Sequence, residues 1–531
     1  MSMRTLSAFS SFWSPSVWPV AGTSAPKAVA ESTGLYQPPH MQQIAVSRRL
    51  FGRTWSSFFP LLLSVLLMSA ADGHCKVIPL SSSIVLVGAQ DHVLQGHTSR
   101  CIEMVDRAAG QTNSRLNFAP VLFWVDRTVK SPMPSQTSKI SHFCFQRYVQ
   151  SDGTVKCQPA TQTDIDAFQE GMQACFARAV QHRMAIHISP QLNDGTGQAA
   201  WQNLLNLNPL TPYEDFSYIE VMLYPLAHAI NGAVQEETQV YFTLQGQMGS
   251  SLFYHPLEYL QAAGTLHRIM RESLPAEWPE FINFGISLNY NKVCGCILTD
   301  VADPASYIQL FPAAFRTAVH KFDFEILHEL FERTDYISIS GAAPLSADFS
   351  IEQLQGRFEL FARELLIFGI DVQQRKLDRT LQLHWTEIGL DDFFSVAGQV
   401  GLVAGTQHPS GGVVDNRQEV EHLLSSRDVN TTDFSISSAV LAFYGQATQF
   451  LWHQHVLKYQ VDAAFLSNQG AWDIQGIYPE SSSQVGTYYS PDAAGMIRHH
   501  NQRSQRLVAL AASLGQPGIK FLIESRDLHK T

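Results

Sequence analysis

A glutamate closes the alternating stretch QLHWTEIGL (382–390), in which Trp385, Thr386 and Glu387 run on toward Gly389. A carboxylate in that place either caps the next helix, since acidic groups suit the unpaired N–H groups of a helix N-terminus, or exchanges protons and bonds with a ligand, which needs a second functional group beside it. Other short apolar runs end on residues of complementary kind: His187, Asn193 and Asp194, with Trp201 downstream; Gln245 and Gln247; Asn289 and Tyr290; His384 and Trp385; and Trp472. Amides, imidazoles and aromatics together suit a hydroxyl-rich ligand, which wants hydrogen bonds in its ring plane and apolar faces above and below, so sugars are the ligand class expected. Each residue also has a structural role open to it. His187 also reads as a core histidine satisfied by a neighbour, Trp472 as a plug, and Asn193-Asp194 as the start of an NDGTG turn.

For these residues to meet, the runs that carry them must lie side by side. Eight strand candidates occur: 83–88, 117–125, 184–189, 239–245, 282–288, 335–341, 381–386 and 461–467. Between them lie stretches of helical period, such as TDIDAFQEGMQACFARAVQHR and IEQLQGRFELFARELLIFG. Strands alternating with helices imply parallel pairing through right-handed crossovers, and eight such units fit a closed (β/α)8 barrel, an α/β fold. All the strand ends would then share one rim. The first strand lacks G-x-G-x-x-G and no Walker A sequence occurs, which argues against a nucleotide-binding sheet.

Composition narrows the partners. The net charge of -11, with no basic stripe, argues against nucleic acid. The pair Cys294-Gly295-Cys296 has no companion at zinc spacing, so neither metal nor cofactor is expected, whereas Cys144 and Cys157 flank a polar loop and could close a disulfide in an oxidising compartment. Residues 1–76 read as a disordered leader: Arg48, Arg49 and Arg53 precede an apolar run from Phe58 to Met68, followed by Ser69, Ala70 and Ala71. The run falls short of the roughly 20 residues that span a bilayer. It suits a signal peptide or signal-anchor, any membrane contact being confined to it, and places the protein in the secretory pathway or outside the cell, or alternatively in an organelle. Asn430-Thr431-Thr432 is a glycosylation acceptor compatible with secretion. A single large domain is expected over 77–531.

Several segments in order resemble barrels of glycoside hydrolase clan A, in particular the β-mannanase-like branches of families 5 and 113. AIHISPQLNDG with Trp201 resembles their third strand and loop, DYISISGAAPL the sixth strand, HWTEIGL the seventh, and GAWDIQGIY the segment after the eighth. The resemblance spans most of residues 80–500 and implies that Glu387 is a nucleophile of retaining hydrolysis. That reaction needs a protonated carboxyl about 5 to 5.5 Å away, its pKa raised by its surroundings. The family carries that acid as a glutamate at the end of the fourth strand. The corresponding segment here reads VYFTLQGQMG, with Gln247 in the expected place. An amide can hydrogen-bond a glycosidic oxygen but cannot deliver a proton. Asp194, Glu214 and Asp215 are the substitute carboxyls. The resemblance thus implies a hydrolase acting on a β-linked polysaccharide or oligosaccharide. The alternatives are a catalytically impaired carbohydrate-binding barrel and an unrelated TIM-barrel enzyme.

Overall fold

The structure is a computed structural model and describes residues 77–110, 114–126, 140–149, 155–196, 201–290, 292–301, 304–340, 349–388, 434–454, 457–466 and 491–513. The leader, the Asn430 acceptor, Cys75 and Trp472 lie outside the described residues.

Eight parallel staves close on themselves. β1 (Leu80–Val87) pairs with β2 (Arg115–Asp126). A β excursion follows β2: β3 (Ile140–Cys144) runs antiparallel to its upper half, and β4 (Arg147–Val149) pairs with β5 (Val155–Cys157). The third stave is β6 (Ala185–Ile188) continued by β7 (Gln191–Asp194), both paired to β2. β8 (Val240–Gly246), β9 (Ile282–Asn289), β10 (Tyr336–Ser340), β11 (Gln382–Ile388) and β12 (Ala463–Leu466) complete the ring, and β12 pairs back to β1. All eight expected strands are present, joined by helices, so the fold is a (β/α)8 barrel.

One stave differs from expectation. The third was read as ending at Ser189, yet it resumes after Pro190. Proline has no N–H for the ladder, so the stave breaks there and restarts at Gln191, which pairs with Gly246. A Cβ on Gly246 would stand 2.1 Å from the Pro190 carbonyl oxygen, so the fourth stave can pass the break only with glycine at this point.

The helices form for local reasons. Gln162–Gln181 begins with a reciprocal capping box between Thr161 and Asp164, and Ile351–Ile367 with one between Ser350 and Gln353. Leu354, Phe358, Phe361 and Leu365 line the buried side of the latter. The last described helix, Pro491–Ser513, ties down the lead into β1: Asn501 accepts from the Leu80 N–H and donates to the Leu80 carbonyl, each at 2.9 Å, and Ser504 Oγ donates to the Val77 carbonyl at 2.7 Å. Among the described residues no helix is long and apolar enough to cross a membrane.

Among the described residues three disulfides are formed. Cys144–Cys157, the pairing foreseen from the loop, fastens β3 to β5, and Cys101–Cys175 joins two helices. The third, Cys294–Cys296, closes on itself across one glycine.

The barrel has an apolar jacket and a polar lumen. Outward residues pack on the helices, as Phe118 does on Phe176 with ring centroids 5.0 Å apart. The inward set includes Ser83, Asn117, His187, Thr243, Ser287, Ser338, His384 and Thr386, all buried. Barrels of this type usually fill the lumen with branched aliphatics; here the rings of Tyr241, Tyr336 and Phe465 packed on His187 and His384, with hydrogen bonds among the polar groups, do that work.

Candidate active site

Parallel staves present all their C-terminal ends at one mouth, the face on which (β/α)8 enzymes build their sites. Counting from β1, the fourth stave is β8 and the seventh is β11. Gln247 stands one residue past β8, with φ 59° and its N–H donated to the Ser287 carbonyl at 3.0 Å. A non-glycine residue in the left-handed region is disfavoured by roughly 1–2 kcal/mol, and such positions cluster at functional sites. Lys292 at φ 48° and Leu298 at φ 51°, beyond β9, share that conformation. Glu387 lies in the last residues of β11, where pairing with β12 shifts register between Trp385 and Ile388. Its side chain lies outside the described part of the structure. Gln247 and Glu387 therefore sit on one rim, at the ends of the two staves the sequence indicated.

The other anticipated residues divide by depth and by face. His187 and His384 are not at the rim, where they were expected, because β7 and the rest of β11 extend beyond them; four residues separate His384 from the end of its strand, about 13 Å at strand rise. Both are fully buried and meet across the axis, His187 Nε2 lying 3.2 Å from His384 Nδ1. Asn117 Oδ1, 2.8 Å from His187 Nδ1, can only accept, so that nitrogen carries the proton, while His384 Nε2 lies 3.2 Å from Gln382 Oε1. Asn117 in turn donates to Ser83 Oγ at 2.7 Å. Tyr336 stacks on His384 at 4.4 Å and bonds Thr243 at 2.8 Å. Burial pushes the His187 pKa down to about 3, the Arg115 charge adding to it. His384 is lowered by burial, then by His187 and Arg115. This is the core-histidine role, shared between two histidines.

Trp385 is turned the other way. Because His384 faces the lumen, strand alternation sends the indole outward, edge-on to Phe358 and Phe450 at 6.2 and 5.6 Å, so it cannot line the mouth. Gln245 does face inward, but its amide is taken up by the main chain: Nε2 donates to the Ser287 carbonyl at 2.8 Å and Oε1 accepts from the Met248 N–H at 2.5 Å. Asp194 makes the turn that the NDGTG reading allowed, accepting from Thr196 N and Oγ1 at 2.8 and 2.7 Å. Asn289 ends β9 beside Ser340 in register, and Tyr290 lies under the Arg357 guanidinium at 5.7 Å. Glu214, one of the substitute carboxyls, faces His142 at 3.6 Å and lines a small cleft against β3 together with Asp215.

Toward the third and fourth staves the mouth joins the anticipated Asn193 and Trp201 to further polar side chains, Gln202, Asn203, Ser250 and Lys292, that carried no signal in the sequence. Asn203 Nδ2 donates to the Lys292 carbonyl at 2.7 Å, and its Oδ1 accepts from the Gly249 N–H at 2.9 Å, tying three loops together. The Lys292 ammonium stands 5.8 Å from the Trp201 ring centroid. Among the described residues, Asn193 Oδ1, Trp201 Nε1, both amide atoms of Gln202 and Ser250 Oγ are buried without a hydrogen-bond partner. Each such atom costs about 1–3 kcal/mol. Asn203 and Gln202 carry no motif, and only their place in the fold marks them. Among the described residues no group of three or more His, Cys, Asp or Glu could hold a metal ion.

No protein-family model matches the chain, and no curated protein matches it. Among solved structures it is similar to a family 113 β-mannanase from Alicyclobacillus acidocaldarius, at 11% identity and a TM-score of 0.38 over 80% of this chain and 98% of that one. It is also similar to a family 5 mannosidase from Rhizomucor miehei, at 10% identity and a TM-score of 0.30 over 81% and 93%. A family 18 chitinase from Flavobacterium johnsoniae matches at 12% identity and a TM-score of 0.28 over 78% and 94%.

Proposed function

We propose that the chain is a glycoside hydrolase-like barrel that takes a β-linked oligosaccharide or polysaccharide at its C-terminal mouth, with Glu387 as nucleophile of a retaining reaction. The observation that carries this reading is positional: Glu387 falls at the end of the seventh stave and Gln247 just past the fourth. In a retaining reaction the carboxylate attacks the anomeric carbon while an acid protonates the departing oxygen. Gln247 can steady that oxygen by donating a hydrogen bond but holds no proton to transfer. Proton delivery is therefore the deficient half of the reaction, at a cost on the order of 10² to 10⁴ in rate for poor leaving groups. The buried amides, hydroxyl and indole near the third and fourth staves suit sugar hydroxyls, which both donate and accept. The three disulfides among the described residues support an oxidising compartment, in line with reading residues 1–76 as a signal peptide or signal-anchor.

The amide at position 247 favours one second reading, a barrel that binds carbohydrate without cutting it. Aryl glycosides with a very good leaving group separate the two, since they need little help from an acid. Hydrolysis that Glu387→Gln abolishes and Gln247→Glu extends to natural β-mannan or β-glucan supports the hydrolase. Retention on insoluble polysaccharide with no turnover of any aryl glycoside supports the binding barrel and removes the nucleophile role from Glu387.

A further inference from the structure

The loop after β9 is held by a buried carboxyl that plays no part in the chemistry above. Glu364 lies on the inner side of helix Ile351–Ile367, three residues from Phe361 and next to Leu365. Its Oε1 accepts from the Cys294 N–H and from the Tyr307 hydroxyl, each at 3.0 Å, and the carboxyl also accepts from the Val293 N–H. The next residue, Gly295 at φ 58°, presses on Asn203 so closely that a Cβ would stand 2.0 Å from the Asn203 carbonyl oxygen. Asn203 holds the Gly249 N–H at 2.9 Å, two residues past Gln247, and a Cβ on Gly249 would meet the Val293 carbonyl at 2.2 Å. From Glu364 to the Gln247 turn the contacts run through Val293–Gly295, Asn203 and Gly249, without a gap.

We propose that Glu364 is a positioning residue whose protonation state sets how firmly the 292–296 loop is drawn down, and with it the Gln247 turn and the Lys292–Trp201 pair. The inference rests on the mouth being the working site. An ionised carboxylate accepts charge-assisted bonds from all three donors, whereas a neutral acid accepts more weakly and must place its own proton among them. Burial raises its pKa to about 7 in spite of those donors and the Lys292 charge, so both forms occur near neutrality. The groups facing it are Tyr307, from the helix Pro304–Ala318, and Lys292, whose ammonium donates to the Thr299 carbonyl at 2.8 Å and feels Asp300. On its own helix Glu359 and Arg363 pair with each other, Glu359 also with Lys458, and Arg357 covers Tyr290.

Trp201 provides a readout that needs no sugar. In the full chain labelled with 5-fluorotryptophan, the Trp201 fluorine resonance, identified by Trp201→Phe, is expected to titrate with a midpoint near 7. Glu364→Gln should abolish that titration, and Tyr307→Phe, which removes one donor to the carboxylate, should move the midpoint upward. A Trp201 resonance that is flat across neutral pH, or that titrates unchanged in Glu364→Gln, overturns the proposal. Should Glu364→Gln fail to fold, an unmoved midpoint in Tyr307→Phe overturns it. Because neither substrate nor turnover enters the measurement, its failure is distinct from failure of the carbohydrate reading.

Discussion

His187 and His384 spend their imidazoles on one another, and the consequence is a dependence of stability on acid. Both are held uncharged by burial, with folded pKa values below the ordinary histidine value of 6.5. A group depressed in this way stabilises the fold in full above its unfolded pKa, and the contribution is lost as pH falls toward the folded value. For His187 alone the drop from 6.5 to about 3 corresponds to an effect on the order of 4 kcal/mol by pH 3. Urea unfolding at neutral pH and near pH 4 should show the barrel losing several kcal/mol on acidification, and His187→Gln should flatten that slope while lowering stability at neutrality. A slope unchanged in the variant would mean that other groups govern acid unfolding. At this scale the sequence revealed a histidine inside an apolar strand but not its partner. Residues 187 and 384 meet only because the third and seventh staves face each other across a closed ring.

At the scale of elements, strand existence was legible while strand continuity was not. The runs rich in Val, Ile and Phe mark all eight staves within a few residues, because a buried parallel strand requires such a run. The break at Pro190 could be suspected from the proline, but the glycine that accommodates it lies in another stave, more than fifty residues on. Gly246→Ala tests that seam directly. The added methyl has no space beside the Pro190 carbonyl and should destabilise the protein by about 1–3 kcal/mol, the usual range for overpacking. The same substitution should disturb ligand affinity at the mouth, since Gln247 follows immediately. Equilibrium unfolding of the variant with no loss of stability would show that the stave can move aside. The helix Ile351–Ile367 offers a complementary case: Glu364 falls on the apolar stripe of IEQLQGRFELFARELLIFG, so a carboxyl on a buried face was visible in the periodicity even though its donors were not.

For the whole molecule, the disulfides act on the unfolded chain more than on any single contact. The Cys101–Cys175 link closes a separation of 74 residues and the Cys144–Cys157 link one of 13. Loop-closure entropy then assigns about 4 kcal/mol to the first and about 3 kcal/mol to the second. Replacing each pair by alanine should lower the denaturation midpoint in that order, as measured by circular dichroism in urea. The reverse order would show that the 144–157 link acts chiefly by holding β3 and β5 in place in the folded state.

The amino-acid sequence by itself determined the class of fold, the count of staves, the rank of the staves at whose ends Glu387 and Gln247 fall, and the net negative charge. These are properties of local pattern and composition, which need no knowledge of what lies opposite. Only the tertiary structure decided the facing of Trp385, outward into the helices, of the two histidines, deep in the lumen, and of Gln245, bound to the main chain, and it alone brought out Asn203 and Glu364 as ties between loops. Closure of the ring fixes those outcomes. Side chains alternate about each stave, and whether a given one reaches the mouth, the lumen or the jacket depends on strand register and on neighbours far away in the chain.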